Sequence, residues 1–149
     1  ELYRKEDYEE AGICCEFVQD NRAYSKQGVL RGMHFQVKYP QDKLLSVLRG
    51  EIYDVAVDIR KDSKTYGKWF GIRLSDENKK QVFIPKGFAH GYLVLSKEAE
   101  ILYKCSEIYH PEDEGGIAWD DPKLAIQWPI SVQSELIISE KDRNWEGLL

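Results

Sequence analysis

Hydrophobic and polar residues alternate along much of this chain. The clearest run lies in 43–61, KLLSVLRGEIYDVAVDIRK. There Tyr53, Val55, Val57 and Ile59 fall on one face and Ile52, Asp54, Ala56 and Asp58 on the other. A period of two is the mark of a β-strand, whose successive side chains point to opposite sides. Segments 16–20, 28–36, 68–75, 80–86, 91–96, 99–109 and 124–130 also read as extended. The polar DENK between 68–75 and 80–86 reads as a hairpin turn. Residues 110–122 read as a long polar loop. Residues 4–11, RKEDYEEA, form a short helical pattern that Gly12 can stop, and SEKDRNW at 139–145 is a second helical segment. Short strands with turn residues between them predict a mainly β fold, an antiparallel sandwich or barrel.

A length of 149 residues suits one domain. Twenty-one basic against 26 acidic residues give a net charge of −5. That argues against a general nucleic-acid or anionic-membrane binder, which needs a positive surface. It leaves room for a small anionic ligand held by a few placed Arg and Lys. No stretch approaches the ~20 apolar residues that span a bilayer. The charged opening ELYRKEDYEE has no signal-peptide pattern. Cys14 and Cys15 are adjacent and Cys105 stands alone, so all three read as buried or half-buried free thiols. These features point to the cytoplasm.

The chemistry-bearing residues are few. His110 precedes Pro111 in a polar loop and reads as solvated. His34 and His90 lie in apolar strand contexts beside glycines, where each must find a partner to be buried. PKGFAH at 85–90 matches the P-x-G-x-x-H turn of the second cupin motif. GVLRGMH at 28–34 matches the start of the first, with Gly28 six positions before His34. Together they describe a cupin jelly-roll barrel. A metal-binding cupin would carry a second His at the place of Gln36 and a Glu shortly after. Two His alone make a weak site, so this cupin reads as metal-free and without cofactor. Strict alternation would put Arg31 and His34 on opposite faces, so a bend or bulge is expected at Gly32.

These segments, with KDSKTYGKW, FIPKGFAHGYLVLS, YKCSEIYHPEDEGGIAWDDP and ISEKD, resemble the dTDP-4-dehydrorhamnose 3,5-epimerase family from about Glu1 to Trp145. The resemblance implies one cupin domain over 1–149 that inverts C3 and C5 of a dTDP-4-keto-6-deoxyhexose, within rhamnose supply for cell-surface polysaccharide. It also implies a strand and an Arg-Gly-Phe-Phe segment ahead of the helix, and this sequence begins just past that point. His34 resembles the family's base, Asp142 the carboxylate that orients it, Tyr103 the opposing acid and Lys43 the cation beside the enolate. Arg31 resembles the diphosphate contact, Gln19 and Asn21 nucleotide contacts, and Tyr109 the aromatic that stacks on thymine. His90, Glu114 and Lys141 resemble further binding residues. The family is dimeric, so a homodimer is expected. A mono-epimerase, a ketoisomerase, and a non-catalytic sugar-nucleotide-binding cupin remain as alternatives.

Overall fold

The computed structural model describes residues 1–130 and 135–148. The chain opens with helix α1 (Lys5–Glu10) and then runs through strands β1 (Gln19–Lys26), β2 (Val29–Gln36), β3 (Lys43–Arg49), β4 (Glu51–Asp58), β5 (Trp69–Ser75), β6 (Gln81–Ile84), β7 (Phe88–Val94) and β8 (Glu98–Cys105). A 3₁₀ turn (Pro111–Asp113), β9 (Glu114–Gly116), β10 (Ile137–Ile138) and helix α2 (Glu140–Arg143) follow. One sheet has the order β1-β8-β3-β6 and the other β10-β2-β7-β4-β5, with β9 beside β2. The architecture is the expected jelly roll. Its pairing is antiparallel except at β10, which runs parallel to β2.

The two faces read from β4 pack as two cores. Ile52 joins Leu45, Val47, Leu74, Val94 and Ile101 in one cluster. Val55 and Val57 join Met33, Ala89, Ile117 and Leu124 in the other, with Tyr53 and Ile59 against it. Burial on both faces explains why β4 is hydrophobic on both.

Several expected elements differ. The segment at 124–130 is not a strand. Leu124, Ile126 and Trp128 still alternate inward onto the second cluster. Ala125 sits at φ 48° and Trp69 donates its indole N–H to the Leu124 carbonyl. The alternation therefore comes from packing on a sheet face, not from ladder hydrogen bonds. DENK is not a hairpin turn, because β5 and β6 lie in different sheets. Its Asn78 accepts from the Ser75 and Lys80 N–H groups and donates to the Arg73 carbonyl, which turns the chain from one sheet to the other. The strand expected at 16–20 instead occupies Gln19–Lys26. The 110–122 loop holds a 3₁₀ turn and β9. His110 is half-buried, stacked on Tyr39 at 4.1 Å between ring centroids. Cys14 is exposed, where burial was expected; Cys15 is intermediate, Cys105 buried, and all three are free. Among the described residues no helix is long and apolar enough to cross a membrane.

Candidate active site

Both sheets deliver side chains to one cleft of about 350 Å³. From the six-stranded sheet come Arg31, His34, Phe35 and Gln36 on β2 and His90, Gly91 and Tyr92 on β7. The other sheet adds Asn21 and Ala23 on β1, Lys43 on β3 and Tyr103 on β8. Gln41, Tyr109, Glu114 and Lys141 complete the lining.

Arg31 and His34 share this cleft because β2 is irregular between them. Its register against β7 shifts between Arg31 and His34, Gly32 has φ +126°, and the Gly32–Met33 peptide is cis. Gly32 also packs onto Gly91 so closely that a Cβ there would lie 2.5 Å from the Gly91 Cα. Only glycine satisfies both the conformation and the approach. Met33 turns away into the apolar cluster.

His34 is held from behind. Its Nε2 lies 2.6 Å from Asp142 Oδ1. Asp142 is buried on α2, where Ser139 caps the helix by accepting from the Asp142 N–H. The Gly32 N–H donates to Asp142 Oδ2 at 3.3 Å and the Trp145 indole N–H to Oδ1 at 3.2 Å. Burial alone pushes this carboxyl up. The His34 hydrogen bond and charge, with the Gly32 and Trp145 donors, outweigh it and hold the group below its ordinary value. An ionised Asp142 makes Nε2 the donor and leaves the lone pair on Nδ1, the arrangement a base needs. Glu114 Oε1 lies 3.8 Å from that nitrogen.

Around Glu114 the groups are paired. Lys141 donates to Oε2 at 2.8 Å and the Tyr109 hydroxyl at 3.0 Å. Burial raises the Glu114 carboxyl, but the Lys141 bond, the charge of His34 and the Tyr109 bond bring it below its ordinary value. Tyr103, on the opposite sheet from His34, is pushed up to about 12 by burial, then by the Cys105 thiol and Tyr92. It is a neutral proton donor at any physiological pH. Burial lowers the pKa of Lys43, although solvent still reaches part of the residue.

A sequence profile described as dTDP-4-dehydrorhamnose 3,5-epimerase matches residues 1–149. The chain belongs to the dTDP-4-dehydrorhamnose 3,5-epimerase family. The enzyme of that name from Methanothermobacter thermautotrophicus is 57% identical over 148 residues, covering 99% of this chain and 80% of that one. Its namesake from Pseudomonas aeruginosa is 51% identical over 144 residues, covering 96% and 78%. A crystal structure of dTDP-6-deoxy-D-glucose-3,5-epimerase from Legionella pneumophila, in complex with dTDP-4-keto-L-rhamnose, superposes with a TM-score of 0.95. It is 52% identical and the match covers 99% of this chain and 78% of that one.

Within this epimerase-family cleft, nine of the eleven expected site residues line the wall. Asp142 stands behind His34, and Gln19 uses its amide on neighbours: it donates to Asn21 Oδ1 at 3.0 Å and accepts from the Tyr109 N–H at 2.9 Å. Sequence reasoning missed Asp54 as a partner. Its Oδ2 lies 2.7 Å from His90 Nε2, and both groups are buried. The inward face of β4 already held the signal, an acid among apolar residues. Gln36 and Trp145 were also missed as holding groups. Among the described residues no three His, Cys, Asp or Glu side chains group as metal ligands.

Proposed function

We propose that this protein converts dTDP-4-dehydro-6-deoxyglucose to dTDP-4-dehydro-L-rhamnose by inverting C3 and C5, as a metal-free cupin spanning 1–149. The observation that carries the reading is His34, backed by an ionised Asp142 at 2.6 Å, in the same cleft as a neutral Tyr103 from the opposite sheet.

C3 and C5 both flank the C4 ketone, so each carries a proton whose loss gives an enolate. His34 takes the proton, and Asp142 stabilises the imidazolium that forms. Lys43 sits beside the developing C4 oxyanion. Preorganised charge there is worth several kcal/mol by order of magnitude in a site that excludes water. Tyr103 returns a proton from the other face, which inverts the carbon. Arg31 grips the diphosphate through its guanidinium fork. Tyr109 stacks on the base, with Gln19, Asn21, His90, Glu114 and Lys141 around the nucleotide sugar.

The test is incubation with dTDP-4-dehydro-6-deoxyglucose in heavy water with a chelator present throughout. One deuterium at C3 and one at C5 in an inverted product is expected. Deuterium at a single carbon makes the protein a mono-epimerase. None makes it a binding cupin, and loss to the chelator alone gives the chemistry to a metal.

The same reading places the protein in the cytoplasm as a homodimer. Strand β1 is a sheet edge that carries Tyr24 at 53% exposure, with Val18 at 55% just before it, and pairing would cover both. Sedimentation at micromolar concentration should give twice the 17.4 kDa chain mass. A species of one chain mass refutes the dimer.

A further inference from the structure

We propose that Gln36 is a positioning residue for Tyr109, and through it for the nucleotide base. The inference rests on Tyr109 as the stacking aromatic. Gln36 ends β2, two residues after His34, and is 7% exposed. Its Nε2 donates to the Tyr39 carbonyl at 2.7 Å and to the Ile108 carbonyl at 3.2 Å. Its Oε1 accepts from the His110 N–H at 2.8 Å. One planar amide thus holds the carbonyl just before Tyr109 and the N–H just after it. Gln19 holds the Tyr109 N–H.

Tyr109 itself is 48% exposed, and among the described residues its hydroxyl makes one hydrogen bond, to Glu114. A ring with so little packing takes its place from its backbone. An aromatic platform that must be ordered when the base arrives gives up part of its stacking free energy. Only a side-chain amide offers two donors and an acceptor in one plane at this reach. A carboxylate has no donor for the two carbonyls, a thioether neither donor nor strong acceptor.

Gln36 also lines the cleft, so it could act by touching the ligand directly. A double-mutant cycle separates the two routes. Gln36→Met, Gln36→Glu, Tyr109→Ala and the Gln36→Met/Tyr109→Ala pair are titrated with dTDP by calorimetry, and kcat and KM are measured with the 4-keto sugar. Tyr109→Ala should weaken dTDP at least ~10-fold, in line with base stacking. Gln36→Met should weaken it ~5–10-fold and raise KM to match, with kcat within about twofold. Gln36→Glu keeps the His110 acceptor but sets an oxygen against the two carbonyls, so it should move the same way, and it serves if the Met variant does not fold. The pair should bind dTDP no more weakly than Tyr109→Ala alone. Native dTDP affinity in both Gln36 variants, a multiplied loss in the pair, or a collapse of kcat at native affinity overturns the proposal. If Tyr109→Ala binds dTDP normally, the stacking reading falls first and this inference with it.

Discussion

Lys43 is a cation whose surroundings disfavour its charge. Burial lowers its pKa, and no ion pair joins it to another described residue. A group that holds its proton less tightly folded than unfolded makes the fold more stable as pH rises toward the unfolded value near ~10.4. Lys43→Met should therefore abolish turnover yet stabilise the protein at neutral pH, by an amount on the order of 1 kcal/mol or ~2–4 °C in Tm. It should also flatten the rise of Tm with pH between neutrality and pH 10. A variant that melts lower than the parent at pH 7 contradicts this account. Tyr103 has the opposite problem: its proton is secure, but in the proposed role it must leave at each inversion. Tyr103→Phe keeps the ring and removes only the acidic proton. It should wash solvent deuterium into the sugar without completing inversion, visible by NMR as exchange with retained stereochemistry. Full double epimerisation at near-native rate would reassign the acid.

Strand β2 shows how an element can serve a site by breaking its own rule. The alternation of β2 and the cleft's need for both Arg31 and His34 conflict, and Gly32 is where the conflict is resolved. Gly32→Ala combines a positive φ with a Cβ 2.5 Å from the Gly91 Cα. It should cost more than ~2 kcal/mol of stability and most of the activity, read together by thermal melting and turnover. This irregularity was legible in the sequence because a known periodicity and two required side chains disagreed. The jelly roll was legible too, since β4 alternates cleanly and the His34 and His90 segments fit the cupin turns. Strand β1 was not, because its inward positions Asn21, Ala23 and Ser25 are polar or small and imitate a loop. Residues 124–130 failed in the other direction: alternation reports a buried face and says nothing about ladder partners. DENK carried turn chemistry, but turn residues do not say which sheet the next strand joins.

At the scale of the whole molecule, the cleft is a product of the two sheets meeting. His34 and Tyr103 come from opposite sheets, so the faces of a sugar ring can be served by separate strands. By resemblance the motifs carried the lining residues and the His34–Asp142 pair, but not the other contacts between side chains. Asp54 pairs with His90 across 36 positions, and Gln36 reaches Ile108 across 72. Such partners are set by register and have no local signature. The site also has a temporal order. Strands β1 to β8 end at Cys105, yet the carboxylate behind His34 lies 108 positions further along than the histidine it holds. In chain order the barrel walls are therefore complete before Asp142 is reached. A nascent or protease-trimmed chain ending at Ser139 would thus be a shell with a base that cannot be oriented. It should still bind dTDP, within about tenfold if lost Lys141 contacts are the main deficit. It should not turn over, and a peptide covering 140–148 supplied in trans should restore exchange. The single turn of α2 is thus the last piece of the site that the chain supplies.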